Sequence, residues 1–264
     1  MEYLSRCLGR LKLQPDFNFH PKCERMNITH VMFADDLLLF ARVDKESIRL
    51  LLQAFHSFSH ASGLSANLDK SNLYFCGVDS CSLSEILEMT QIPLGSIPFK
   101  YLGVPLAARK LSYSECNPLI EKIVGRIKSW ASKKLSYAGR IQLIKSVLQG
   151  IQSYWSQICL LPKKVMREVK SLCRSFLWTG SSDKSKRSLV AWDTLCLPKV
   201  AGGWNILDIE CWNQAAIMKF FWAVALKKDK LWIKWVHAYY IKQQDIWSFF
   251  IPTGLSFLEL EEDP

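Results

Sequence analysis

Residues 28–40 read "ITHVMFADDLLLF", an apolar run interrupted only by Asp35 and Asp36 side by side. A buried, unpaired carboxylate costs several kcal/mol, so two adjacent ones in so hydrophobic a stretch need solvent at a turn or a bound cation. The flanks "ITHVMF" and "LLLFAR" are short and β-prone, which predicts a hairpin with the acids at its tip. Aspartate favours turns for its own reasons, so the pair by itself is compatible with an ordinary surface turn.

Outward from this hairpin the pattern is mixed. Asp44 is placed to cap a helix in which Ile48, Leu51, Leu52, Phe55 and Phe58 recur at helical spacing, ended by Gly63. "GLSANLDKSNLYFCG" then predicts a strand, a polar turn and a second strand. Ser82 and Glu85 have capping-box spacing for a short helix through about Thr90, and "IPFKYLGVPL" suits another hairpin. Upstream, "MEYLSRCLGRLKLQ" is an amphipathic helical pattern that begins without a cap, as though the chain were entered in mid-structure.

Beyond residue 112 the pattern is helical. Leu119, Ile120, Ile123, Val124, Ile127 and Trp130 form one apolar stripe; Ile141, Ile144, Val147, Leu148 and Ile151 form a second. A third helix, about 163–178, stacks Val165, Val169, Leu172, Cys173 and Phe176. Each carries basic residues on its other face, which a solvated bundle surface would also explain. "TGSSDKSKRS" reads as a flexible basic linker, Gly202-Gly203 as a turn before an aromatic-rich helix, and "LSFLELEEDP" as an acidic tail. Six of the ten tryptophans lie from Trp204 onward, the composition of a small aromatic-rich core. The expected fold is α+β: a small antiparallel sheet with helices over 1–111, a helical region over 112–180, and a Trp-rich helical extension over 181–264.

The charge balance, 34 Lys and Arg against 24 Asp and Glu, leaves +10 and favours an anionic partner. No stretch reaches about 18 uncharged apolar residues and the first residues do not resemble a signal peptide, so the expectation is a soluble intracellular protein, nuclear or cytoplasmic, with no membrane partner. Nine cysteines without paired spacing point to reduced thiols. His56 and His60 with Cys76 and Cys81 suggest a metal site, but the helix accounts for both histidines without one.

Two carboxylates at a hairpin tip suit hard divalent cations, which prefer carboxylate and phosphate oxygens. "FADDLLLF" resembles the aromatic-x-Asp-Asp motif of reverse transcriptases. "GLSANLDKSNLYF" is similar to the next palm segment of non-LTR (LINE-type) retrotransposon enzymes, with Gly63-Leu64, Asn67 and Lys70 in the order that segment shows. "PFKYLGVPL" resembles their primer grip, "WASKKLSYAGRIQLIKSVL" their thumb, and "LCLPKVAGGWNILDIECWNQAAIMKFFW" the segment after the thumb in plant elements. The resemblance runs over roughly residues 1–240.

It implies a partial palm, a thumb and an extension of an RNA-directed DNA polymerase that works by two-metal nucleotidyl transfer on an RNA template and a DNA primer, with no small-molecule cofactor. Carried over by position, Asp35 and Asp36 are the catalytic ligands of Mg²⁺ or Mn²⁺, and Phe33 lies beneath the nucleotide and primer end. Lys70 approaches the triphosphate or supports the palm; Tyr101, Leu102 and Gly103 position the primer; Lys133, Lys134, Arg140 and Lys145 contact phosphates. The third palm carboxylate and the fingers have no counterpart here, so the resemblance implies a fragment inactive on its own. A non-catalytic nucleic-acid-binding module and a functionless remnant stand as alternatives.

Overall fold

The computed structural model describes residues 2–75, 77–107, 109–131, 135–183, 185, 188–242 and 244. The chain divides into two compact units: one holds the residues up to Ile97 and takes up the chain again from Asp229, and the other runs Pro98–Lys228. Among the described residues both are mixed, each with one two-stranded antiparallel sheet among helices, so the α+β expectation is met.

In the first unit, α1 (Glu2–Gly9) continues as a 3-10 turn, Arg10–Leu13. Strands β1 (His30–Phe33) and β2 (Asp36–Leu39) follow, then α2 (Lys45–Ser62) and α3 (Ser80–Thr90). Leu4, Leu8 and Leu11 recur at i, i+4 and i+7 and are buried with Phe17, Leu51 and Phe58. Asp44 caps α2 by accepting from the Ser47 amide at 2.8 Å, and Gly63 closes it at φ 72°. Helix and caps form where the spacing placed them.

Two expectations fail in this unit. The cap of α3 is Asp79, not Ser82: the Asp79 carboxylate accepts from the Ser82 amide at 2.9 Å and from its hydroxyl at 2.9 Å, so the helix starts earlier, while Glu85 faces Lys45 at 3.6 Å. Residues 64–75 do not form two strands. Asn67 bonds the Lys70 amide at 3.3 Å and stabilises a 3-10 turn, Leu68–Lys70, a local side-chain bond that competes with extended pairing. Leu73 forms a parallel bridge to Leu94, and there Gly95 is required because a Cβ would meet the Tyr74 ring at 2.4 Å.

The second unit opens with the hairpin of β3 (Phe99–Tyr101) and β4 (Val104–Leu106). Helix α4 (Asn117–Ala131) follows, and α5 (Tyr137–Leu143) runs through a π-helical turn, Ile144–Leu148, into α6 (Gln149–Ser156). Then come α7 (Lys163–Thr179), the short α8 (Trp192–Cys196) and α9 (Ile209–Ala225). The stripes read from the sequence are the core: Leu119, Ile123, Ile127, Ile144, Leu148, Val165, Val169, Leu172, Cys173 and Phe176 are buried together. Each such side chain contributes about 1.5–3 kcal/mol. At the turn before α9, Gly202 takes φ 79° and Gly203 has no room for a side chain, since a Cβ would lie 2.0 Å from the Leu197 carbonyl oxygen. The chain resumes the first unit with α10 (Leu231–Val236) and a π-helical turn, His237–Ile241.

One buried amide of α9 ties down the end of α6 and the turn that follows it. Asn213 of α9 is fully buried; its Oδ1 accepts from the Leu161 amide at 2.9 Å, and its Nδ2 donates to the carbonyls of Ser156 and Cys159, both at 2.8 Å. These are the groups that the turn between α6 and α7 leaves without helical partners. Replacing Asn213 by Ala strands all three, and chemical denaturation is expected to show a loss of about 3 kcal/mol. A change under 0.5 kcal/mol would mean that the turn satisfies itself without the amide.

Candidate functional site at the acidic hairpin

The register of β1 and β2 pairs His30 with Leu39, Val31 with Leu38, Met32 with Leu37 and Phe33 with Asp36, leaving Ala34 and Asp35 as a two-residue turn. Met32, Leu37 and Leu39 pack on the first unit's core, which anchors the hairpin, while Phe33, Ala34, Asp35 and Asp36 are all exposed. Ala34 sits at φ 52°. Positive φ at the first turn residue alone is the type II′ pattern, where glycine is favoured, and an alanine there holds on the order of 1–2 kcal/mol of backbone strain.

The structure therefore brings Phe33, Asp35 and Asp36 together in solvent at a fixed turn. Neither carboxylate is hydrogen-bonded or ion-paired within the described residues, so both keep their oxygens free for a hydrated divalent cation. Among the described residues no group of three or more His, Cys, Asp or Glu side chains converges. Cys76, one member of the suggested His56/His60/Cys76/Cys81 set, lies outside the described residues. The eight described cysteines are all unpaired thiols, with Cys116, Cys159 and Cys173 pushed up to about 11, 12 and 12 by burial. No described helix is long and apolar enough to cross a membrane.

Lys70 is exposed on its own 3-10 turn, held by the Asn67 cap. In the second unit Tyr101 pairs with Val104, and Leu102 (φ 51°) and Gly103 (φ 80°) form the tip of the β3–β4 hairpin, a type I′ arrangement. The Tyr154 hydroxyl of α6 donates to the Leu102 carbonyl at 2.5 Å and so pins this tip, a contact 52 residues apart that no local pattern announces. Arg140 and Lys145 are half-buried, and both cap backbone carbonyls: Arg140 donates to Leu177 at 3.1 Å at the end of α7, and Lys145 donates to Trp204. Lys133 and Lys134 lie outside the described residues. Lys122, Arg126 and Lys128 on α4 and Lys163, Lys164 and Arg167 on α7 are exposed, with Lys164 4.3 Å above the Tyr113 ring.

Behind the acidic tip, at the foot of β1, is a residue the sequence did not single out. The two ring nitrogens of His30 lie 2.9 Å from Ser5 Oγ of α1 and 2.9 Å from Thr29 Oγ1, and Thr29 is buried. Burial pushes the His30 pKa below its ordinary value. The unfolded chain then binds a proton more readily than the folded one, so stability falls as pH drops through about 6.5 and levels off below the folded pKa. Urea midpoints measured from pH 7.5 to 5 are expected to decline for the native chain and to flatten in His30→Gln; equal slopes would remove His30 as the source.

Comparison with known proteins places this hairpin in context. Residues 3–106 match the family described as reverse transcriptase (RNA-dependent DNA polymerase), a stretch that contains both hairpins. The chain is also 31% identical over 129 residues to a protein of Arabidopsis thaliana that carries the name ribonuclease H protein, a match covering 49% of this chain and 21% of the relative. The chain thus spans about a fifth of that relative's length. The acidic hairpin lies within a reverse-transcriptase-like segment.

Proposed function

We propose that the chain is part of the RNA-directed DNA polymerase of a LINE-type (non-LTR) retrotransposon of plant type, with palm over 1–111, thumb over 112–180 and extension over 181–264. The observation that carries this reading is the exposed Phe33-Ala34-Asp35-Asp36 turn inside the segment matching reverse transcriptases. In it, Asp35 and Asp36 hold Mg²⁺ or Mn²⁺, and Phe33 meets the nucleotide and primer end. Lys70 serves the triphosphate or the palm itself, and Tyr101 with Gly103 positions the primer. When bound, the metal supplies charge stabilisation and an activated 3′-hydroxyl for nucleotidyl transfer. The protein's own contribution is to hold the two carboxylates on a turn anchored by Met32 and Leu37.

Two solvent-exposed carboxylates hold a cation weakly and leave much of its charge uncompensated, so the expected polymerase activity of this chain alone is absent or very weak. Mn²⁺ added to the isotopically labelled protein is expected to broaden the amide signals of Phe33 to Asp36 first, and Asp35→Asn with Asp36→Asn to remove that broadening. Selective broadening elsewhere would sink the metal-binding tip. Robust Mg²⁺-dependent primer extension, lost in Asp35→Asn, would instead show that the two carboxylates suffice.

A second reading is favoured by a distinct observation: Pro98–Lys228 contains 22 Lys and Arg against 7 Asp and Glu, so the basic excess of the whole protein sits in that unit. It supports binding of the phosphate backbone through the exposed lysines and arginines of α4 and α7, with Lys133 and Lys134 as further contacts, whereas Arg140 and Lys145 would first have to leave the Leu177 and Trp204 carbonyls. Such binding positions a strand without reading its sequence. Filter binding to mixed-sequence RNA at rising salt is expected to give a log-log slope of about −3, as four phosphate contacts would; a flat dependence would eliminate it.

A further inference from the structure

The first unit is discontinuous in sequence, and its second piece is attached in an unusual way. α10 and the π-helical turn after it meet residues 20–26 through five contacts, each spanning more than 200 residues of chain. The Trp235 indole N–H donates to the Lys22 carbonyl at 2.6 Å. The Arg25 guanidinium donates to the Ala238 carbonyl at 2.6 Å, and the Arg25 amide donates to the Tyr239 hydroxyl at 2.9 Å. Lys22 stands 5.4 Å from the centre of the Tyr240 ring and Arg25 5.4 Å from that of Tyr239. Trp235 packs between both tyrosines, 5.7 Å from Tyr239 and 5.4 Å from Tyr240. Every one of these contacts uses a side chain on at least one side; none is a ladder or helix bond.

We propose that residues 231–241 are a reversible strap that holds the loop leading into the acidic hairpin. The path from strap to hairpin is short. Around the strapped residues the Cys23 carbonyl accepts from the amide of Ile28 at 3.2 Å, and the Thr29 carbonyl accepts from the amide of Phe40 at 2.8 Å, which closes the hairpin's open end. Ile233 and Ile241 are buried and seat the strap, whereas Lys22, Arg25 and Tyr240 remain exposed, so water can replace the polar and cation–π contacts one at a time. A segment tied by a few exposed side-chain bonds opens more readily than the core it lies on. The strap stands apart from the reading of Asp35 and Asp36 as metal ligands and holds whether or not they bind one.

Lys22 and Arg25 are themselves the reporters, because trypsin cleaves after each of them. In the full chain, Trp235→Ala is expected to raise the cleavage rate after Lys22 and Arg25 at least tenfold, with the rate after Arg6 and Arg49 in α1 and α2 unchanged. Tyr239→Phe, which removes only the hydroxyl that accepts from the Arg25 amide, is expected to act in the same direction by a smaller factor. Unchanged cleavage after Lys22 and Arg25 in both variants would overturn the proposal. So would an equal rise at Arg6 and Arg49, because residues 231–241 would then be an inseparable part of the core.

Discussion

Two adjacent carboxylates cannot leave water without partners, and that constraint organises the first unit. Because side chains alternate along a strand, the register that puts Met32, Leu37 and Leu39 against Leu4, Leu8 and Phe58 also decides where the chain must turn. A slip by one residue would turn those three away from the core and bring Val31, Phe33, Asp36 and Leu38 toward it, a carboxylate among them. The strain at Ala34 is the local cost of making the turn in two residues at that register. It leaves Phe33, Asp35 and Asp36 displayed together, the geometry that any reading of the hairpin as a metal-binding tip requires.

The second unit solves a different problem, that of a strongly basic helical body. Its lysines and arginines fall into two groups by location. Arg140 and Lys145 are turned inward onto the carbonyls of Leu177 and Trp204, where a cation meets the negative end of a helix or an otherwise unpaired oxygen. The exposed set on α4 and α7 is left to solvent or to an anion. Lys170 is intermediate: half-buried beside Asp193 at 2.5 Å, it is one of the few basic residues of the unit with an acidic neighbour. Asn213 serves the uncharged counterpart of this role at the turn between α6 and α7.

Much of this was legible in the sequence where a residue's role depends on its near neighbours. The stripes of α4 and α7, the Asp44 cap, the Gly63 stop and both hairpins are short-range patterns, and they form as expected. The errors have one cause. At 64–75 and at Ser82 two local hydrogen-bonding schemes were available to the same residues: Asn67 stabilised a turn where the pattern favoured strands, and Asp79 capped the helix one turn ahead of the Ser82–Glu85 spacing.

By itself the sequence determined that Asp35 and Asp36 lie at the tip of a hairpin, because alternation and the cost of burying charge are local and leave little choice. It also determined that an overwhelmingly basic helical body follows. Only the tertiary structure decided that His30 is wedged between Ser5 and Thr29, that Tyr154 pins the second hairpin, and that Trp235, Tyr239 and Tyr240 clasp Lys22 and Arg25. Apart from the adjacent His30–Thr29 pair, these contacts join residues 25 to 218 positions apart, and at such separations chain entropy allows many partners. The choice falls to whichever packing buries the apolar faces while leaving each polar group a bond.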